Sequence, residues 1–274
     1  MKILGVLNIT EDSFSDGGKY LTPEAALAQG FKLIEEGADI LDIGAASSNP
    51  DAKRIAPATE ISRLQSVLPA LKEKGTVLSI DSFEPSVQRW ALAEGVEYLN
   101  DIHGFGAPSL YPDMAQAKAK LIVMHAIQND GAATRVNVPS TDIFGRALSF
   151  FGKRLDALAK AGVAQDRLIL DPGMGFFVGS DPENSLTLLR HLPDLKAQFG
   201  LPILVSVSRK SFLRKITGQS DPAGLPVLAA GLAAELYAYL QGADYLRTHA
   251  PAALKAALAI QSVLQVKDFN EGRH

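Results

Sequence analysis

Short aliphatic and β-branched runs alternate with longer segments of helical periodicity from one end of the chain to the other. The runs at 3–8, 39–44, 77–81, 98–101, 121–125, 168–171, 203–208 and 245–249 predict strands. Between them, apolar positions at helical spacing predict helices over 23–36, 57–74, 85–94, 108–119, 143–161, 183–199, 225–241 and 251–266. Several of these open with proline in the first turn, where its missing N–H costs nothing. Gly37, Gly95, Gly162 and Gly242 stand where helices should stop, as left-handed C-caps do.

Eight strands alternating with eight helices predict a parallel sheet with helical crossovers. Such a count favours an α/β fold closed as a (β/α)8 TIM barrel over an open sheet, because closure leaves no edge strand. No Gly/Ser or Pro-rich linker divides the sequence, so residues 1–274 read as one domain. Three longer connections, 10–22, 45–56 and 126–141, follow strands, on the side where barrels carry substrate loops.

Composition narrows the class. A net charge of −3 and an isoelectric point near 6.0 give no basic footprint for nucleic acid or an anionic membrane. The apolar stretch 226–240 contains Glu235 and several alanines and falls short of a membrane span. The start of the chain does not resemble a signal peptide. With no cysteine there is no disulfide, thiolate metal site or cysteine nucleophile, which fits a cytoplasmic protein.

Candidate chemistry gathers at the strand ends. Asn8, Asp42, Asp81, Asn100 with Asp101, His125, Asp171, Ser208-Arg209-Lys210 and Arg247-Thr248-His249 each sit at or just beyond an apolar run. Together they would ring the barrel mouth. Asp42 and Asp101 have an equally good reading as residues that bond loop amides. Arg247 and His249, two apart on one strand face, suit an anion. Lys210 can be read as a Schiff-base lysine, as a clamp on an oxyanion or carbonyl, or as a surface residue opening a helix. Its neighbours Ser208, Arg209 and Ser211 favour the clamp. His103, His191 and His274 lack such company and read as structural or solvent-facing. Gly17-Gly18 and the pair Gly173, Gly175 fit neither a Walker A loop nor a dinucleotide fingerprint, and no H-E-x-x-H, nucleophile elbow or EF-hand loop is present.

The segment Leu7-Asn8-Ile9-Thr10-Glu11-Asp12-Ser13-Phe14-Ser15-Asp16-Gly17-Gly18 resembles the first signature of the dihydropteroate synthases. Ser79-Ile80-Asp81-Ser82, Leu99-Asn100-Asp101-Ile102, Leu170-Asp171-Pro172-Gly173-Met174-Gly175-Phe176, Ser208-Arg209-Lys210-Ser211 and Arg247-Thr248-His249 resemble its later motifs, in the same order. The first and the Asp171 motifs are long and specific; those around Asp81 and Asn100 would be weak alone.

The resemblance implies a transferase of folate biosynthesis that joins a dihydropterin-methyl pyrophosphate to p-aminobenzoate. Its products would be 7,8-dihydropteroate and pyrophosphate. By the same resemblance, Asp81, Asn100, Asp171 and Lys210 hold the pterin, with Asp81 and Lys210 as catalytic groups. Asn8 would be the Mg2+ ligand at the pyrophosphate, and Arg247 and His249 would bind the phosphates. Ser47, Ser48, Pro50, Phe177 and Ser208 would shape the p-aminobenzoate pocket. The expected partners are these small molecules and a second copy of the chain, through the alanine-rich 226–240 segment and the last helix.

Two departures stand out. The family's usual Ser-Thr-Arg-Pro reads Ser47-Ser48-Asn49-Pro50 here, which removes a positive charge. After Phe176 comes Phe177-Val178-Gly179-Ser180-Asp181-Pro182 in place of a short glycine-lysine continuation. Similar segments occur in the sulfonamide-insensitive branch of the family, so Phe177 is expected to crowd the pocket against sulfonamides. A folate-dependent methyltransferase, a Schiff-base aldolase and a non-catalytic pterin-binding protein are the competing readings.

Overall fold

A computed structural model describes residues 1–10, 22–48, 53–128 and 138–267. Its strands are β1 (Lys2–Asn8), β2 (Ile40–Gly44), β3 (Leu78–Asp81), β4 (Tyr98–Asp101), β5 (Lys120–Met124), β6 (Leu168–Asp171), β7 (Leu204–Val205) and β8 (Tyr245–Thr248). All pairings are parallel, in the order β6-β5-β4-β3-β2-β1-β8-β7. A bridge between Leu170 and Ile203 joins the two ends, so the sheet closes into the expected (β/α)8 barrel.

Alternation along the strands sorts side chains into barrel interior and helix-facing shell. Leu4, Ile40, Val77, Tyr98, Ile122, Ile169, Leu204 and Tyr245, one from each strand position, form an apolar plug low in the barrel. Residues of the opposite parity, such as Leu41, Ile43, Leu78, Ile80, Leu99 and Leu121, belong to the larger core shared with the helices. Strands buried on both faces account for the near-continuous apolar runs in the sequence.

The outer layer is α1 (Pro23–Glu35), α2 (Pro57–Gln65), α3 (Leu68–Glu73), α4 (Pro85–Ala93), α5 (Tyr111–Gln116), α6 (Ser140–Lys160), α7 (Pro182–Arg190), α8 (Leu192–Phe199), α9 (Ser211–Thr217), α10 (Leu225–Leu240) and α11 (Pro251–Lys267). Gly37, Gly95, Gly162 and Gly242 all take positive φ at helix ends, as expected. Two predicted helices are each broken in two. The segment 57–74 divides before Leu68-Pro69 and 183–199 divides before Leu192-Pro193. A proline cannot donate to the preceding turn and disfavours helical geometry in the residue before it, so each restarts a helix within its first turn. The fourth predicted helix, 108–119, becomes a 3-10 turn at Pro108–Leu110 followed by α5.

β7 is the other correction. The expected strand 203–208 keeps its ladder only at Leu204 and Val205, paired with Tyr245 and Leu246. Beyond it the chain turns through Arg209, whose φ of 59° is a left-handed value that costs a non-glycine residue about 1–2 kcal/mol. That turn, with Lys210 N donating to Val207 O at 3.1 Å, delivers Lys210 to the barrel mouth as α9 begins. Strain of this kind gathers where a side chain must be aimed.

Candidate active site

Counting two residues up each strand from the apolar plug gives Val6, Asp42, Ser79, Asn100, Met124, Asp171, Ser206 and Arg247. Two further up are Asn8, Gly44, Asp81, Ser208 and His249. Strand parity therefore turns one face from an apolar plug into a polar floor and then a charged mouth. Asn8, Asp81, Asn100, Asp171, Ser208, Arg247 and His249 all fall on this inward face. Gly44 keeps the space between β1 and β3 open. A Cβ there would stand 3.4 Å from Asn8 Oδ1 and 3.9 Å from Asp81 Oδ2.

Arg247 ties the mouth together. Its Nε donates to Asp42 Oδ2 at 2.5 Å and its Nη2 to Asp81 Oδ2 at 2.7 Å, while Asn100 Nδ2 donates to the same Asp42 oxygen at 3.1 Å. The guanidinium is thus braced across two carboxylates rather than standing free, and only its remaining N–H groups are left for an anion. Asp42 bonds no loop amide among the described residues. It is fully buried and anchors both Arg247 and Asn100, a role its position on β2 did not reveal. Asp101 does take the amide-bonding role, accepting from His103 N and Phe105 N at 2.8 Å each. Asp42 Oδ1, Ser79 Oγ and Asn100 Oδ1 are buried and find no partner among the described residues. Buried polar atoms of this kind call for a ligand or water, and here they line one patch of floor.

Burial dominates the electrostatics. It raises Asp81 to about 7, with Arg247 opposing and Asp42 reinforcing the shift. Burial also raises Asp171 to about 6, against its bond from Gly173 N at 2.8 Å and the nearby Lys210. Lys210 is lowered to about 8 by burial and by Arg247, with Asp171 and Asp81 pulling back. At neutral pH it remains largely charged, with Nζ 4.9 Å from the Phe177 ring centroid, geometry that suits a clamp rather than a Schiff base.

Burial and the surrounding cations lower His249 well below its ordinary value, so the ring is neutral. Ser208 Oγ accepts from His249 N at 3.3 Å and lies 3.1 Å from Nδ1. In the tautomer in which the hydroxyl donates to Nδ1, the ring N–H stands on Nε2 and is a donor available to an anion. Ser208 is thus engaged with His249.

Phe177 is 7% exposed and packs with Ile102, Met124 and Ala126, so it is a wall of the mouth and part of an apolar cluster at once. Its short helical turn, Gly175–Val178, is fixed at its start by Gly173, where a Cβ would meet His125 O at 2.2 Å. His125 faces outward, with Nδ1 3.0 Å from Pro172 O and its ring against Phe150 and Phe151; burial lowers it to about 4. Ser47 and Ser48 follow β2 at the same end of the barrel, partly exposed. Pro50, Asn49, His274 and the Glu11–Gly18 part of the first motif lie outside the described residues. His191 is solvent-facing, paired with Asp194 at 2.7 Å.

Fold and site together define a (β/α)8-barrel enzyme whose mouth combines an acidic, arginine-braced floor with a clamp lysine and a neutral histidine donor. The family of pterin binding enzymes matches over residues 4–249. Dihydropteroate synthase type-2 of Escherichia coli is 52% identical, covering 96% of this chain and 96% of its own length. Dihydropteroate synthase type-3 of Escherichia coli is 48% identical over 96% of this chain and 99% of its own. Among solved structures, Xanthomonas albilineans dihydropteroate synthase with 4-aminobenzoic acid is 35% identical. It superposes with a TM-score of 0.86, covering 96% of this chain and 93% of that one. The chain belongs to the dihydropteroate synthases, transferases within the pterin binding enzyme family.

Proposed function

We propose that the chain condenses 6-hydroxymethyl-7,8-dihydropterin pyrophosphate with p-aminobenzoate. The C–O bond to pyrophosphate breaks, the arylamine nitrogen bonds the pterin methylene and loses a proton, and 7,8-dihydropteroate and pyrophosphate leave. The observation that carries this reading is the convergence of Asp81, Asn100, Asp171 and Lys210 on one inward face beside Arg247 and His249. Carboxylates accept from the amino and ring N–H groups of a pterin, and Lys210 meets its carbonyl. As the bond breaks, positive charge grows on the methylene near Asp81 and negative charge on the leaving oxygen near the remaining Arg247 donors and His249 Nε2. An arylamine is unprotonated at neutral pH, so no strong general base is required. Pyrophosphate release that depends on p-aminobenzoate tests the reading. Release without it, or transfer of a methyl group from a reduced folate, would refute it.

Asn8 offers a hard oxygen donor at the mouth, and no cluster of three or more His, Asp or Glu suited to a metal occurs among the described residues. That donor set fits a Mg2+ ion carried largely by the substrate's own phosphates. When bound, the ion would offset charge on the departing pyrophosphate. Asn8 would hold it, while Arg247 and His249 orient the phosphates.

Ser47, Ser48, Pro50, Phe177 and Ser208 are proposed to bound the p-aminobenzoate end, Ser208 through His249. The buried Phe177 wall supports poor inhibition by sulfonamides and hence a role in antibiotic resistance. A flat carboxylate passes such a wall more readily than a tetrahedral sulfonyl. Removing Phe177 is expected to lower the sulfonamide inhibition constant with p-aminobenzoate still used. An unchanged constant would reduce Phe177 to packing.

A homodimer is proposed through α10 and α11, where Tyr237, Leu240, Ile260, Val263 and Leu264 stand 39–65% exposed. Isolated apolar residues are ordinary on a surface, but a contiguous set is not. A Leu264→Glu, Ile260→Glu variant is expected to run as a monomer in light scattering; a monomeric wild-type protein would reject the interface. No described helix is long and apolar enough to cross a membrane, and the cysteine-free sequence supports a cytoplasmic setting.

A further inference from the structure

We propose that Asn184 and Ser185, in the opening turn of α7, are positioning residues that fix the Phe177 wall. They thereby set how the p-aminobenzoate end of the mouth tells its substrate from a bulkier analogue. The proposal rests on Phe177 bounding that end, and it assigns the placement of the wall to a second element.

The turn Gly175–Val178, which carries Phe177, is held through its backbone at its start, middle and end. Gly175 N donates to Ser185 Oγ at 2.9 Å. Ile127 N donates to Phe177 O at 2.9 Å. Asn184 Nδ2 donates to Val178 O at 2.8 Å. Two of these bonds thus come from adjacent side chains of α7. Asn184 spends its other N–H on Val138 O at 3.1 Å, just before α6 begins. Ile127 and Val138 stand on either side of the connection between β5 and α6, so one asparagine ties that connection to the wall. The turn that presents the pair is itself well fixed. Asp181 Oδ1 accepts from Glu183 N at 3.0 Å as an N-cap, and Pro182 opens the helix.

Packing alone does not call for these two residues. Both are fully buried and share the inner face of α7 with Leu188 and Leu189. An apolar side chain at either position would avoid the cost of desolvating a polar group. Asn184 even leaves Oδ1 buried without a partner among the described residues, which fits a side chain kept for its two donors. On its other side the turn has little slack. A Cβ on Gly175, whose φ is 65°, would stand 3.1 Å from Ser211 Oγ and 3.5 Å from Lys210 Cβ. The wall is therefore seated between α7 and the segment that delivers Lys210, whose Nζ lies 4.9 Å from the Phe177 ring centroid. Hydrogen bonds are short-ranged and directional. Losing those from α7 frees the turn to shift against Lys210 while the barrel strands stay paired.

Asn184→Leu keeps the volume and removes both donors. Ser185→Ala removes the acceptor, and Ser185→Thr keeps it. Each is made in the wild type and in Phe177→Ala. KM for p-aminobenzoate, KM for the pterin pyrophosphate and the inhibition constant of a sulfonamide are measured. The ratio of the sulfonamide constant to KM for p-aminobenzoate reads the discrimination by the wall. Asn184→Leu and Ser185→Ala are expected to lower that ratio about tenfold, within the range of coupled neighbours. KM for the pterin pyrophosphate should stay within about twofold, and Ser185→Thr should keep most of the wild-type ratio. In Phe177→Ala the same substitutions should change the ratio less than about twofold, because the wall they hold is gone. An undiminished effect in that background, equal movement of both KM values, or no effect in the wild type overturns the proposal. If Asn184→Leu does not fold, Ser185→Ala decides alone; if neither folds, the pair is merely structural and the proposal falls. A Phe177→Ala variant with the wild-type ratio would sink the wall reading and the proposal with it. Silent α7 variants beside an altered Phe177→Ala overturn the proposal only.

Discussion

Arg247→Met is expected to lower folding stability by about 3–5 kcal/mol, the cost of leaving a buried charge without its partner. Two carboxylates, Asp42 and Asp81, lean on that one guanidinium from inside the barrel. Methionine fills the volume but offers no donor, so both are left desolvated and facing one another. The loss should depend on pH with a definite sign. Asp81 is already raised above its ordinary value by burial, and removing Arg247 takes away the first influence that opposes the rise. A carboxyl raised in the folded state binds a proton more tightly there than in the unfolded chain. Its contribution is fully present below the unfolded value and is lost as pH rises through the folded one. The deficit of Arg247→Met against the wild type should therefore be small near pH 4.5 and reach its full size above about pH 8. Urea denaturation of both proteins at the two pH values reads it directly. A deficit of equal size at each would mean that the ion network does not carry the stability.

The second large effect is expected at Asp171. Asp171→Asn should reduce kcat/KM by about a hundred- to several-thousand-fold, which corresponds to about 3–5 kcal/mol of transition-state binding. The structure explains why so small a change is severe. Oδ1 is committed to Gly173 N–H at 2.8 Å, and Gly173 packs so closely on His125 O that a Cβ there would lie 2.2 Å from it. An asparagine must keep its oxygen on that amide and turn its NH2 toward the mouth. Where the pterin presents N–H groups, donor would then face donor. Steady-state kinetics with both substrates measure the loss, and circular dichroism confirms the fold. A variant with near-normal turnover would remove Asp171 from the pterin site.

Seven of the inward-facing site residues could be found by reading the ends of apolar runs, because a closed parallel barrel gathers all strand C-termini at one rim. Reading ends alone could not separate inward from outward residues. Asp101, His125 and Thr248 look like Asp81, Asn100 and Arg247 in the sequence, yet they lie on the opposite parity and serve the loops and helices. Counting by twos from the buried plug makes the distinction, but the plug is known only once the sheet is closed. Asp42 shows the same limit. A lone aspartate in Ile40–Gly44 carries no sign that its partners are 58 and 205 positions away.

Local chemistry fixed other features without help from the fold. The glycines that end helices did so because their φ is set by the absence of a Cβ. Pro69 and Pro193 broke helices that periodicity had joined, a signal present in the chain and outweighed by the apolar stripe. Element type, element order, the rim and its supply of charged groups followed from residue order, since they depend on backbone geometry and burial over a few neighbouring residues. The bracing of Arg247 by two carboxylates, the raised Asp81 and Asp171, the lowered Lys210 and the neutral His249 were decided by tertiary structure, because desolvation and Coulomb interaction depend on distances through space that no sequence spacing records.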